Sequence, residues 1–218
     1  SDKNRAIARE SVKKSIVLLK NNNKILPIKK NTQNILIAGE HADNIGYQCG
    51  GWSIWWQGGS GKITKGTSIL DGIKNHVGEN VNLSYSKNGN VNENTDLIIV
   101  AIGEKPYAEM NGDRESLDLA KNDVELINKL SKSGKPIIII LISGRPMILE
   151  PILDKCDAIL AAWLPGTEGA GISDVLFGDY NPTAKLSFSW PKTMDQIPIN
   201  IGDKSYSPLF EFGYGLTF

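Results

Sequence analysis

Apolar residues along the chain fall into two patterns. In one they run without interruption; in the other they recur every three or four positions. Residues 35–38, 97–102, 137–141 and 158–161 are apolar throughout and largely β-branched, as in strands buried on both faces. Residues 81–84 form a weaker strand candidate. Ala8, Val12, Ile16 and Leu19 recur at helical spacing over residues 5–20, and Asn21-Asn22-Asn23 closes that pattern. Ile69, Leu70 and Ile73 open a short helix that stops near Gly78; Val124, Ile127 and Leu130 mark another, closed by Ser133-Gly134. Residues 147–153 and 168–177 also read as helical. Continuous apolar strands alternating with helices predict an α/β fold: a parallel sheet covered on both faces. In a flavodoxin-like strand order, the first and third strands flank the topological switch point, so the loops that follow them share one crevice.

Those two loops are also the long ones. The first spans residues 40–67 and is rich in Gly and Trp; the second runs from Gly103 to about Leu119. Beyond Gly178 the pattern turns irregular, with Pro182, Pro191, Pro198 and Pro208. Residues 1–218 therefore read as one domain, with residues 1–30 a helix that leads into it and residues 179–218 a wrapping tail.

Composition narrows the function classes. Lys+Arg and Asp+Glu are both 24, which leaves no net field for nucleic acid or an anionic membrane. No apolar stretch approaches a membrane span. Ser1-Asp2-Lys3 begins neither a signal peptide nor an anchor, and the chain opens directly in a helical pattern without Met. It reads as processed or cut from something longer, with any signal peptide upstream, so the compartment stays open. Cys49 and Cys156 lack C-x-x-C spacing and read as free buried thiols. His41 and His76 are too scattered for a zinc site, no G-x-S-x-G elbow is present, and both histidines read as structural. Gly58-Gly59-Ser60-Gly61-Lys62 fails as a phosphate loop: Trp56 stands where Gly is required and Ile63 where Ser or Thr is required. No cofactor is implied.

The candidate chemistry lies in the two loops. Gly50-Gly51-Trp52-Ser53-Ile54-Trp55-Trp56-Gln57-Gly58-Gly59 places three indoles within five positions. Indoles offer flat apolar faces for a pyranose ring, with an N–H for a hydroxyl; alternatively they anchor a long loop. The second loop, Gly103-Glu104-Lys105-Pro106-Tyr107-Ala108-Glu109-Met110-Asn111-Gly112-Asp113, carries Glu104, Glu109 and Asp113, with Glu115 just beyond. Glu109, between Ala108 and Met110, is best placed to project into the crevice, where a general acid would stand, although on the residues alone each of these acids reads as a solvated carboxylate. Glu104 sits nearer the strand end, where a carboxylate often braces a loop, and Asp113-Arg114 reads as a local pair.

Several ordered segments resemble the second domain of family 3 glycoside hydrolases, most closely the β-glucan exohydrolase and β-glucosidase branch. They are Arg9-Glu10-Ser11-Val12 through Val17-Leu18-Leu19-Lys20-Asn21; Ala38-Gly39-Glu40-His41-Ala42-Asp43-Asn44 with Gly50-Gly51-Trp52; Ile142-Ser143-Gly144-Arg145-Pro146; Ala162-Trp163-Leu164-Pro165-Gly166-Thr167-Glu168-Gly169; and Phe212-Gly213-Tyr214-Gly215-Leu216. The resemblance implies a six-stranded (α/β)6 sandwich and a retaining mechanism with two carboxyl groups about 5–5.5 Å apart. It implies Glu109 as the general acid/base and Trp56 as a sugar-stacking residue on the leaving-group side. Trp52 reads as support for that loop at the sugar site, and Glu104 is counted among the substrate-binding residues. Trp55 takes no transferable role.

The implied nucleophile is an Asp of a preceding (β/α)8 barrel domain, which these residues do not contain. Ser173-Asp174 superficially resembles the nucleophile pair but lies in a helical segment and is rejected. The expected partners are thus a β-glucoside or β-glucan oligosaccharide and a barrel domain of the same enzyme. The expected function is the acid/base half of a β-glucosidase or exo-β-glucan hydrolase. The alternative is a stand-alone carbohydrate-binding module built on the Trp loop.

Overall fold

Apolar runs such as 97–102 have no polar face to offer solvent, so they settle in the middle of a sheet covered on both sides. The computed structural model describes residues 1–218, apart from the side chain of Asn80. Its six strands are β1 (Val17–Asn21), β2 (Asn34–Ala38), β3 (Asn82–Ser86), β4 (Leu97–Gly103), β5 (Ile137–Ile142) and β6 (Ala158–Trp163). They form one sheet in the order β1-β6-β5-β4-β2-β3. All neighbours are parallel except β1, which runs antiparallel to β6 along the edge. The five parallel strands alone have the flavodoxin-like order, and β2 and β4 lie side by side at the switch point, as expected.

Alternation along each strand divides the core. Ile35, Ile37, Ile99, Ile140 and Leu160 face α1 (Asp2–Ser15), α3 (Ile69–Val77) and α5 (Ala170–Leu176). Leu36, Ile98, Val100, Ile139 and Ile159 pack on the other side with Ile127 and Leu130 of α4 (Lys121–Ser131) and with the C-terminal tail. Ser68 caps α3 by accepting from the Asp71 amide at 3.1 Å, and Gly78 ends it at φ 62°.

Two readings need correction. The helix expected over residues 5–20 stops at Ser15, and Val17-Leu18-Leu19 begins the antiparallel edge strand. Ile16 through Leu19 are at most 1% exposed, so the segment has no solvent face and suits a strand covered on both sides. The helix expected over 147–153 is replaced by an extended contact of Ile148 with Asp118, then a 3-10 helix over Glu150–Lys155. Pro151 lacks an N–H and is tolerated only in the first turn, so no α-helix runs through it from residue 147.

The tail packs on the α4 side of the sheet. Trp190 is fully buried on the α4 side, with its indole N–H donating to the Met147 carbonyl at 2.8 Å. Trp163, Phe188 and Phe210 pack around it at centroid distances of 6.1, 6.1 and 6.3 Å. Leu216 donates its amide to the Leu18 carbonyl, tying the tail to the edge strand.

Candidate active site

The first loop leaves β2 through Gly39, whose φ of 88° turns the chain across β4. A Cβ there would lie 2.0 Å from the Ala101 carbonyl oxygen, so only glycine fits. A short helix, α2 (Ile45–Cys49), follows; Asn44 caps it through the Tyr47 amide and also accepts from Gly61 at 2.7 Å. Buried Gln48 accepts from the Ile69 amide at 3.0 Å and donates to the Gly166 carbonyl at 3.1 Å. These bonds tie the long loop to α3 and to the Gly166 backbone and so fix the segment between. Residues 52–56 form a tight turn closed by the Trp52 amide on the Trp56 carbonyl at 2.9 Å. Its residues Trp52 and Ile54 have φ of 59° and 68°. Trp52, Trp55 and Trp56 are 69, 57 and 45% exposed. For rings this size such exposure is costly in water, which favours a surface that meets a ligand or partner over a loop anchor. Trp52 and Trp56 lie 6.3 Å apart, tilted by 53°.

The second loop is held from beneath. Glu104 is 9% exposed and both carboxylate oxygens are engaged. Oε1 accepts from Arg145 Nε and Nη2 at 3.0 and 2.8 Å and from Arg114 at 3.4 Å, and Oε2 accepts from the Tyr107 hydroxyl at 3.1 Å. Arg145 also donates to the Gly112 carbonyl at 2.7 Å and stacks on the Tyr107 ring at 4.5 Å. One guanidinium therefore gathers the start, middle and end of the loop. A carboxylate so occupied is a brace, and the sugar contact expected of Glu104 does not fit this geometry. Asp113 is exposed, and Arg114 turns to Glu104 and the Asp118 carbonyl instead of pairing with it.

Glu109 opens a 3-10 turn over Glu109–Gly112 with φ of 50°, a left-handed conformation unusual for a residue with a Cβ. Such backbone costs about 1–3 kcal/mol and persists where its surroundings over-determine it. Glu109 and Met110 are exposed, while Ala108 before them is buried. The two loops touch closely: a Cβ on Gly51 would lie 2.0 Å from the Tyr107 carbonyl oxygen. Gln57 accepts from the Ala108 amide at 2.9 Å and donates to its carbonyl at 3.1 Å.

The loops do share a crevice, of about 400 Å³, lined among others by His41, Tyr47, Glu104, Tyr107, Asp123 and Arg145. Glu109, Trp52 and Trp56 are not in its lining. They are exposed instead. His41 is buried with Nε2 3.1 Å from the Glu104 carbonyl oxygen, and burial lowers its pKa. His76 stacks on Phe177 at 4.3 Å. Cys49 and Cys156 are free; Cys156 is buried, which pushes its thiol up to about 11, whereas Cys49 is only half-buried. Asp174 is buried against Arg9, whose Nε donates to it at 2.8 Å, so Asp174 of the rejected Ser173-Asp174 pair joins α5 to α1.

Burial pushes the Asp123 carboxyl up to about 6, only partly offset by the Gly103 amide that it accepts at 3.2 Å. Between about pH 4 and 6 the native state keeps a proton that the unfolded chain, with an ordinary carboxyl near 3.9, has released. Stability from this group is therefore full below pH 4 and falls as pH rises to 6. Urea unfolding of Asp123→Asn across that range is expected to lose the slope and to show a gain over wild type at pH 7 but not at pH 4. An unchanged pH dependence would contradict the shift.

Gln57 and Arg145 went unassigned as positioning groups in the sequence. Gln57 meets Ala108 across 51 positions, and nothing local marks an amide that pairs with distant backbone. Arg145 had a signal, since it stands in the loop after β5 and so at the same sheet edge.

The model of the glycosyl hydrolase family 3 C-terminal domain matches residues 16–218. A lysosomal beta glucosidase of Dictyostelium discoideum is 36% identical, with the match covering 98% of this chain and 29% of that protein. A periplasmic beta-glucosidase of Salmonella typhimurium is 31% identical over 97% of this chain and 34% of that protein. Among solved structures, an exo-1,3/1,4-beta-glucanase from a Pseudoalteromonas species superposes with a TM-score of 0.93 at 43% identity, covering 99% of this chain and 37% of that one. A beta-glucosidase from Listeria innocua in complex with isofagomine superposes at 0.82 with 28% identity, covering 100% and 34%. The chain thus spans about a third of the length of the relatives it matches. From its sheet order to its paired loops, the chain belongs to the family 3 glycoside hydrolases and constitutes their C-terminal domain.

Proposed function

We propose that the chain supplies the general acid/base and part of the sugar cleft of a retaining β-glucosidase or exo-β-glucan hydrolase, whose nucleophilic Asp comes from a (β/α)8 barrel domain. One observation carries this reading: Glu109 projects outward from a left-handed turn, on a loop otherwise tied down, beside exposed indoles. An acid that had to brace the fold would be buried and paired, as Glu104 is. Trp56 stacks on the ring at the leaving-group side, and Trp52, 6.3 Å away and tilted to it, backs the loop. The barrel surface completes the cleft that this domain leaves open.

In the first half-reaction the barrel Asp attacks the anomeric carbon while the Glu109 carboxyl gives its proton to the departing glycosidic oxygen. In the second, the Glu109 carboxylate takes a proton from the water that displaces the Asp, and the sugar leaves with retained configuration. A free-standing carbohydrate-binding module is not favoured, because the relatives that match along this chain are named as glycosidases and glucanases.

The test is Glu109→Gln in an enzyme carrying both domains. With 2,4-dinitrophenyl β-glucoside, where breakdown of the glucosyl-enzyme limits the variant, azide attacks that intermediate without needing a base, so it should restore turnover and yield the β-glucosyl azide. Failure of azide to accelerate the variant, with wild-type-like hydrolysis retained, would remove Glu109 from this role.

A further inference from the structure

We infer that Gln57 is a positioning residue for Glu109 and makes the tryptophan loop and the acid loop one mechanical unit. The inference rests on the acid/base reading of Glu109 and goes beyond it. Ala108 is extended (φ −138°, ψ 144°), and its amide and carbonyl both pair with the Gln57 side chain, as a neighbouring strand would pair with them. Only one orientation of the Gln57 amide makes both bonds, because the backbone N–H requires the oxygen and the backbone carbonyl requires the NH2 group.

The next peptide unit is that of Glu109. Ala108 O also accepts from the Asn111 amide at 3.3 Å, closing the turn that Glu109 opens. Fixing Ala108 therefore fixes the direction of the Glu109 Cα–Cβ bond at a backbone conformation the residue would not adopt unaided. Two close approaches back this pairing: Gly51 against the Tyr107 carbonyl, and Gly58, where an added Cβ would lie 2.7 Å from Pro106 Cβ. At the other end of the amide, Trp56 is the immediate neighbour of Gln57. The ring that stacks on the sugar and the carboxyl that protonates it are each one residue from the same pair of hydrogen bonds. Displacing an acid by about 1 Å can cost on the order of 10²-fold in rate.

The experiment compares Gln57→Ala, Gln57→Glu and Glu109→Gln in an enzyme carrying both domains. Gln57→Ala is expected to lower kcat/KM for an alkyl β-glucoside by about 10- to 100-fold and to leave 2,4-dinitrophenyl β-glucoside within about threefold. Gln57→Glu keeps the acceptor for Ala108 N–H but faces the carbonyl with a second oxygen. Protonating that carboxyl restores a donor, so its activity relative to wild type is expected to recover as pH falls. In the 218-residue chain, Gln57→Ala should also speed hydrogen exchange at the Ala108 amide.

If Glu109→Gln discriminates between the two leaving groups and Gln57→Ala loses both equally, Gln57 has no positioning role and the acid assignment stands. If Glu109→Gln itself fails to discriminate, both readings fall. Should Gln57→Ala not fold, Gln57→Glu decides: a relative activity that stays flat with pH overturns the proposal.

Discussion

Glu109→Gln, in an enzyme that joins this domain to a (β/α)8 barrel domain, is expected to lower kcat/KM for unactivated β-glucosides by about 10²–10⁴-fold. For 2,4-dinitrophenyl β-glucoside, kcat/KM should stay within about tenfold of wild type. The difference follows from what each leaving group needs. An alkoxide is too basic to depart without a proton, whereas a dinitrophenolate leaves unaided, so only the first substrate feels the missing carboxyl in glycosylation. Release of the glucosyl-enzyme needs a base for both. With the activated substrate, kcat should therefore fall and KM fall with it as the intermediate accumulates. Equal loss on both substrates, with no accumulation, would make Glu109 a binding or structural residue.

Trp190→Ala is expected to be the most damaging change away from the site. The side chain is wholly buried, its N–H is the partner of the Met147 carbonyl, and three aromatic rings close around it. Deleting a buried indole costs about 3–5 kcal/mol. For a chain of this size that amounts to a fall in Tm of about 6–20 °C. Trp190→Phe keeps much of the ring but strands the carbonyl, and should cost about 1–3 kcal/mol. Thermal or urea unfolding measures both. A loss under about 1 kcal/mol for Trp190→Ala would mean that the tail lies on a core already complete without it.

The fold was legible where burial leaves a one-dimensional trace. Residues 97–102 and 137–141 are apolar at every position because helices cover both faces, and the structure makes them the central strands β4 and β5. The flanking order was an assumed flavodoxin-like one, which the five parallel strands have. The edge strand β1 was hidden because Val12, Ile16 and Leu19 also satisfy helical spacing; only the pairing with β6, distant in sequence, decides between the periods. The anchor of the tail left no trace in the sequence, since burial of Trp190 depends on residues 147, 163, 188 and 210 meeting in space.

The site divides in the same way. Both loops could be read from strand position and residue type, and their contact follows from β2 and β4 being neighbours. Choosing among Glu104, Glu109 and Asp113 was beyond periodicity, because the choice turns on which carboxylate is engaged by the fold. Arg145, Arg114 and Tyr107 engage Glu104, leaving Glu109 presented outward. The Gln57–Ala108 pair has no sequence signature at all, being a side chain paired with backbone.

Burial separates Glu104 as a brace from Glu109, which is presented outward, and Asp174 of the rejected Ser173-Asp174 pair is held by Arg9. The reading that follows is half an active site. The most direct test is turnover of 4-nitrophenyl β-glucoside by the purified 218-residue chain, with circular dichroism to show that it is folded. The folded chain is expected to release no nitrophenol above the buffer rate, while an enzyme carrying both domains does. Turnover by the chain alone that disappears in Glu109→Gln would contradict the division of the site between two domains.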